Sequence, residues 1–282
     1  MKLFKHACDL QKCLSNIRSG DTKVGFVPTM GALHSGHISL LEMARKHDNL
    51  TVCSIFVNPT QFNDQKDFDN YPITISNDIL LLEQAGCDVL FLPQTSEIYP
   101  NGTSHLPHYD IGELEHVLEG TFRPGHYQGV CQVVHKLLGI VLPDFLFLGQ
   151  KDYQQCMVIQ RLIEIIKSPA QIVIGSTHRE PSGLAMSSRN QRLTEAEKEQ
   201  ATAIFKMLKY IRQNIHFLTV DQLILHASDY LLSNGFSKVN YVTIADSGTL
   251  QPATSDTLHN VVALIAASIG KVRLIDNMVM ND

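Results

Sequence analysis

The stretch Val24-Gly25-Phe26-Val27-Pro28-Thr29-Met30-Gly31-Ala32-Leu33-His34-Ser35-Gly36-His37 decides how this chain is read. Residues 23–27 predict a buried strand. Pro28 is expected to end it, because proline cannot donate to a central ladder, and Gly31 and Gly36 allow the tight turn that follows. From His37 onward Ile38, Leu41 and Ala44 recur at helical spacing, with Leu40 widening the apolar face. Strand, glycine-bearing turn and helix therefore follow one another, and His-x-Gly-His falls where the helix begins. A helix N-terminus offers unpaired N–H groups and the positive end of a dipole, so two imidazoles there make a phosphate-handling site. Thirteen histidines make a chance pair cheap. The strand before and the helix after supply the context that a phosphate site needs.

Working outward, residues 1–20 predict a helix ending near Ser19-Gly20. Residues 50–57 fit a second buried strand, 63–72 a polar loop, 76–85 a helix and 89–92 a third strand. Further on, 113–118 predict a short helix, 121–127 a turn, and the next helix carries Val130, Val134, Leu137 and Leu138. Residues 145–148 and 171–174 predict two more strands flanking a helix over 153–166. Strands alternating with helices imply a Rossmann-like, doubly wound, mainly parallel sheet, in which ligands bind beyond the carboxyl ends of strands. The polar run 175–183 marks a boundary, giving domains 1–177 and 178–282. Beyond it, Thr194 with Glu197 and Thr219 with Gln222 open two helices with capping-box spacing. Residues 241–245, 261–267 and 272–275 then read as strands of a smaller α+β C-terminal domain with an antiparallel sheet.

Composition narrows the functions. A net charge of −5 argues against a broad nucleic-acid surface. No apolar run has the length of a membrane span or the form of a signal peptide, so a cytoplasmic protein is expected. Six scattered cysteines without a C-x-x-C pair make zinc sites and disulfide frameworks poor readings.

Two further clusters fit phosphate chemistry. Gly149-Gln150-Lys151-Asp152 again places a glycine and a cation after a strand, although alone it reads as a solvated Lys–Asp turn. Met186-Ser187-Ser188-Arg189 offers hydroxyls and a guanidinium suited to phosphate oxygens. Gln61 and Gln155, just past two strand ends, could hold the hydroxyl and carboxylate of a hydroxy acid. Arg123 and Tyr71, like these glutamines, await geometry for a role, and His126, His135 and His178 read as structural or surface residues by themselves.

The segments PTMGALHSGH (28–37), FVNPTQF (56–62), RPGHYQGV (123–130), GQKDYQQ (149–155) and REPSGLAMSSRN (179–190) together resemble the pantothenate synthetase family, of the HxGH group of class I synthetases and nucleotidyltransferases. The resemblance implies an ATP-dependent ligase that joins pantoate to β-alanine through a pantoyl-adenylate, releasing AMP and pyrophosphate, with Mg2+, in a homodimer whose smaller C-terminal domain is a lid. It assigns Met30, Gly31, Ala32, Leu33, His34, Ser35, Gly36 and His37 to the ATP-binding turn, with His37 as proton donor. Gly149, Gln150, Lys151 and Asp152 are assigned to ribose and phosphates, and His178 to the adenine side. Met186, Ser187, Ser188 and Arg189 are assigned to the triphosphate, and Gln61 and Gln155 to pantoate. His34, His37, Lys151 and Arg189 form the catalytic set. The chain departs from the family at Ile73, Asn77, His178 and Ser182, where arginine, an acid, an aliphatic residue and aspartate are common, and no metal ligand is assigned. The rival readings are a pantetheine-phosphate adenylyltransferase and a catalytically silent nucleotide-binding module. An aminoacyl-tRNA synthetase is disfavoured by size and by the acidic balance.

Overall fold

The computed structural model describes residues 1–18, 22–47, 50–63, 65–254 and 258–280. Along the chain run β1 (Lys2–Phe4), α1 (Ala7–Ile17), β2 (Val24–Thr29), α2 (Ser35–Lys46), β3 (Leu50–Ile55), α3 (Gln65–Asp69), α4 (Ile75–Gln84), β4 (Val89–Phe91) and α5 (Thr95–Ile98). Then follow α6 (Glu119–Phe122), α7 (His126–Val141), β5 (Phe145–Gly149), α8 (Tyr153–Ile166) and β6 (Gln171–Gly175). The chain finishes with α9 (Glu195–Asn214), α10 (Val220–Ser233), β7 (Lys238–Asp246), β8 (Val261–Ile269) and β9 (Val272–Val279). Two compact units emerge: Met1–Gly149 with Gln154–Ser176, and Gln150–Tyr153 with Thr177–Asp282.

The first unit is a six-stranded sheet in the order β1-β4-β3-β2-β5-β6, parallel throughout. Side chains alternate between its faces as the period of two requires. Val24, Phe26, Leu146 and Leu148 join a core with Leu10, Leu14, Val134, Leu138 and Ile159. Val27, Cys53, Leu90 and Phe147 meet Leu40, Leu41, Ala44 and Leu82 on the other side. Helices thus cover both faces, which is why these strands read as continuous apolar runs. The strand order reverses between β2 and β5, so their carboxyl ends frame the topological switch point.

In the second unit β7, β8 and β9 form an antiparallel sheet in that order. Leu208 and Ile211 of α9 and Leu223, Ala227 and Leu231 of α10 pack with its Val261, Ala263, Ile265 and Ala267. Both capping boxes form as expected, Thr194 with Glu197 and Thr219 with Gln222. Among the described residues, no helix is long and apolar enough to cross a membrane.

Four local expectations are corrected. Pro28 lies inside β2, opposite Ser54 of β3. Lys23 and Thr29 carbonyls bond toward β3 and Val24 toward β5, so by alternation the imide nitrogen of Pro28 faces β5. Pairing on that side has ended at Phe26, and no ladder bond is lost there. Residues 1–20 are not one helix, because residues 2–4 form an edge strand paired with β4 before α1 begins. Three residues are too few for a period to show. The expected helix end at Ser19-Gly20 lies outside the described residues. Within 63–72, of which Asp64 is not described, α3 forms one helical turn, with Phe62 at 5.3 Å from Phe68 and 5.7 Å from Tyr71 between ring centres. In the middle, residues 112–115 form a 3-10 turn and α6 occupies 119–122, so helical structure extends into the expected turn.

Candidate active site

The turn after β2 places His34 as the N-cap of α2 and His37 as its third residue. His34 Nδ1 accepts the Gly36 N–H at 3.2 Å, and His37 Nδ1 accepts the His34 N–H at 3.3 Å. Two backbone N–H groups of the turn and first helical residues are thereby satisfied by imidazoles, as an S-x-x-E box would do with a hydroxyl and a carboxylate. The ring centres lie 4.1 Å apart. Because Nδ1 accepts in both rings, each neutral imidazole carries its proton on Nε2. The His-x-Gly-His spacing fixes the tautomer, and hence which ring nitrogen can donate to an anion.

The turn itself is held from beneath. Gly31 and Ala32 both adopt left-handed backbone, with φ of 82° and 48°. Asp78, fully buried, accepts the Ala32 N–H at 3.0 Å, the Leu33 N–H at 2.8 Å and the Thr74 hydroxyl at 3.0 Å. These bonds offset the cost of a non-glycine residue at positive φ. A Cβ on Gly31 would stand 3.0 Å from Asp78 Oδ2, so the close approach favours glycine there as well. A cavity of about 300 Å³ opens against this turn, lined also by Phe56, Thr74 and Gln94.

Beyond β3, Asn58 caps a 3-10 turn, Pro59–Gln61. Gln61 is buried, its Oε1 accepting from Asn58 Nδ2 at 3.2 Å and its Nε2 lying 2.7 Å from Met30 Sδ. Asn58 Nδ2 also donates to the Gly129 carbonyl at 3.0 Å, and Asn58 Oδ1 accepts from the Tyr99 hydroxyl at 2.9 Å. His126 Nδ1 donates to the Gln61 carbonyl at 2.7 Å, which leaves its Nε2 to accept from Arg123 at 3.0 Å. Helix α7 approaches this turn so closely that a Cβ on Gly129 would sit 2.3 Å from the Thr60 oxygen. The segment 123–130 thus acts as a brace for Gln61. Gln155 lies half-buried on the first turn of α8. Its neighbour Gln154 is structural, accepting from Glu119 N–H and donating to the Leu114 and Val117 carbonyls.

Gly149 closes β5, and the next four residues belong to the second unit. Lys151 Nζ lies 3.3 Å from Asp152 Oδ1, with the lysine largely buried and the aspartate half-exposed. Asn277 Nδ2 donates to the Gln150 and Lys151 carbonyls at 2.9 and 2.8 Å. Residues 178–190 of the same unit form a built loop. Arg179 bridges to Ala185, Met186 N–H donates to the His178 carbonyl at 3.0 Å, and Gly183 at φ 95° lies against Phe205. Ser187 Oγ caps a 3-10 turn, Ser188–Arg192, by accepting the Arg189 N–H at 3.3 Å. Buried Asn190 donates to the Ala185 carbonyl at 3.0 Å. Arg179 grips buried Asp276 at 2.6 and 3.0 Å. Burial pushes the Asp276 carboxyl up, and the hydrogen bonds from Arg179 pull against that rise.

The sequence reading missed Asp78, His126, Gly129, Asp276 and Asn277 as supports. Asp78 did leave a signal, since it falls on the face of α4 shared by Ile75 and Leu82, where a charge needs a reason.

The fold and this turn define a class, the Rossmann-like α/β proteins that bind ligands beyond the carboxyl ends of their strands. Comparison with known proteins makes it particular. The profile of the pantoate-beta-alanine ligase family matches residues 2–279. Pantothenate synthetase 1 of Bradyrhizobium diazoefficiens is 40% identical over 281 residues, covering 100% of this chain and 99% of that protein. The crystal structure of pantothenate synthetase from Thermus thermophilus superposes with a TM-score of 0.92 at 35% identity, covering 100% of both chains. Pantoate-beta-alanine ligase from Francisella tularensis, solved with beta-gamma ATP and beta-alanine, gives 0.82 at 37% identity over 99% of this chain and 98% of that one. The chain belongs to the pantoate-beta-alanine ligase family.

Proposed function

We propose that this chain is the ATP-dependent ligase that condenses pantoate with β-alanine, releasing AMP and pyrophosphate. The observation that carries the reading is the pair of imidazoles at the start of α2, both turned by backbone N–H groups into Nε2–H tautomers. Full-length membership of the ligase family supports it and disfavours an adenylyltransferase or a silent module.

In the first step a pantoate carboxylate oxygen forms a bond to the α-phosphorus, the bond to the bridging oxygen breaks, and pyrophosphate leaves with the electron pair. His34 and His37 donate from Nε2 to the phosphoryl oxygens where charge grows, beside the N-terminal dipole of α2. Lys151 and Arg189 neutralise the departing pyrophosphate, while Met30, Gly31, Ala32, Leu33, Ser35, Gly36, Ser187 and Ser188 line the nucleotide's course. Gly149, Gln150 and Asp152 serve the ribose and phosphates, Met186 closes with Ser187 and Ser188 over the triphosphate, and His178 serves the adenine side. In the second step the neutral amine of β-alanine bonds to the acyl carbon, the bond to the phosphate oxygen breaks, AMP departs and the amine gives up a proton. Gln61 and Gln155 hold pantoate through both steps, so positioning supplies much of the rate.

Magnesium is proposed to arrive on the triphosphate, since Mg2+ commonly binds through phosphates and water with few carboxylates. Among the described residues no group of three or more His, Cys, Asp or Glu is placed to hold a metal ion. Asp78 has its oxygens committed to backbone amides and does not fit a ligand's role. A cytoplasmic homodimer, with the second unit acting as a lid, completes the proposal. The test is AMP release. It should appear only when pantoate and β-alanine are both present, and a dinucleotide product or AMP formed without the amine refutes the reading.

A further inference from the structure

Strand β9 carries two consecutive polar residues, Asp276 and Asn277, that are only 5% and 2% exposed. Buried polar groups in an apolar cluster are costly unless fully bonded, and these two are bonded in series. The Phe205 ring lies 4.0 Å beneath the Arg179 guanidinium. Arg179 forks onto both Asp276 oxygens, and Asp276 Oδ1 accepts the Asn277 N–H at 2.8 Å. The Asn277 amide then spends its nitrogen on the carbonyls of Gln150 and Lys151, and its oxygen accepts from Gln150 Nε2 at 3.4 Å. Two carbonyls can only accept, so the amide has one possible orientation.

Gln150–Asp152 is a single 3-10 turn. Fixing the carbonyls of residues 150 and 151 fixes the backbone that carries the Lys151 side chain, leaving only rotamer freedom along a flexible four-carbon stem. We propose that Asn277, locked by the Arg179–Asp276 pair, is a positioning residue that holds Lys151 for the nucleotide phosphates. The inference rests on the reading of Lys151 as a phosphate ligand. The Asn277 amide is spent on the Gln150 and Lys151 carbonyls, so its effect passes through the lysine.

That dependence sets the test, a double-mutant cycle on the rate of pantoyl-adenylate formation with Asn277→Ala, Lys151→Met and the double variant. Asn277→Ala alone should slow adenylation about tenfold or more and leave the KM for β-alanine unchanged. In the Lys151→Met background it should cost nothing further. Equal losses in both backgrounds make Asn277 an ordinary structural residue and overturn the proposal. Normal adenylation in Lys151→Met overturns the phosphate role of the lysine, and this inference with it, whatever Asn277 does. Should Asn277→Ala fail to fold, Arg179→Lys keeps the charge but loses the fork. It must then show the same loss confined to chains that retain Lys151, and a loss independent of Lys151 is again refuting.

Discussion

Replacing His34 with asparagine and with alanine separates its two duties. In the structure His34 Nδ1 caps the helix through the Gly36 N–H, while Nε2 is the donor proposed for the phosphoryl group. Asparagine is among the strongest N-caps, so His34→Asn keeps an acceptor for the cap and removes the ring donor. His34→Ala loses both, and the cap alone is worth about 1 kcal/mol of stability. Losing one donor aimed at developing charge costs about 2.7–4 kcal/mol, or about 10²–10³ in rate. Both variants should therefore slow pantoyl-adenylate formation by that factor, while only the alanine variant loses stability in urea. Attack of β-alanine on preformed adenylate should slow much less, because the reacting centre is then the acyl carbon. Rapid-quench measurement of each half-reaction decides. If His34→Asn adenylates normally while His34→Ala does not, the imidazole is only a cap. If both steps fall equally, it does not act chiefly on the phosphates. Either result refutes the reasoning.

Gln61→Ala and Gln155→Ala should each raise the pantoate KM, with incomplete hydrogen bonding costing about 1–3 kcal/mol; initial rates against pantoate and against ATP check that the loss falls on the acid. Gly129→Ala drives a methyl group against the Thr60 carbonyl, so thermal denaturation should show about 1–3 kcal/mol of overpacking, and the pantoate KM should rise as Gln61 shifts. Asp78→Asn sets an amide NH₂ against a backbone N–H of the turn; urea unfolding should report about 1–3 kcal/mol and adenylation should slow, whereas a wild-type adenylation rate would show that the turn keeps its shape without the carboxylate. Burial raises the Asp144 carboxyl, but hydrogen bonds from Val24 N–H and Lys23 outweigh it and leave the group below the usual carboxylate value. Its stabilisation is therefore present above the unfolded value of about 3.9 and is lost as pH falls through the lower folded value, so melting curves of wild type and Asp144→Asn should converge only below about pH 4.

What was legible in the sequence was what has a period or a cap. The helical spacing of Ile38, Leu41 and Ala44 marked α2, leucine spacing marked α4, apolar runs marked the buried strands, and Thr194 with Glu197 marked the start of α9. The HxGH turn was legible as an anion site because strand and helix flank it. What the sequence hid is long-range. Asp78 lies 46 residues from Ala32, and nothing local says that its oxygens face the turn. His126 reads as an isolated histidine until the Gln61 carbonyl, 65 residues away, appears beside it. Pro28 misled because its tolerance depends on where the neighbouring strand stops, a matter of register rather than of residue type.

The four residues Gln150–Tyr153 have a consequence for anyone exchanging parts between such enzymes. They run from the end of β5 onto the first residue of α8, flanked on both sides by the first unit, yet Gln150 and Lys151 lean on Asn277, and the Tyr153 hydroxyl donates to the Ser247 carbonyl at 2.7 Å. A chimaera joined only at residue 176 would graft a foreign C-terminal segment onto a native tetrapeptide and leave those contacts mismatched. The transplantable piece is discontinuous: the tail from Thr177 onward must travel with its four-residue outpost, or the graft will fold with the lysine adrift.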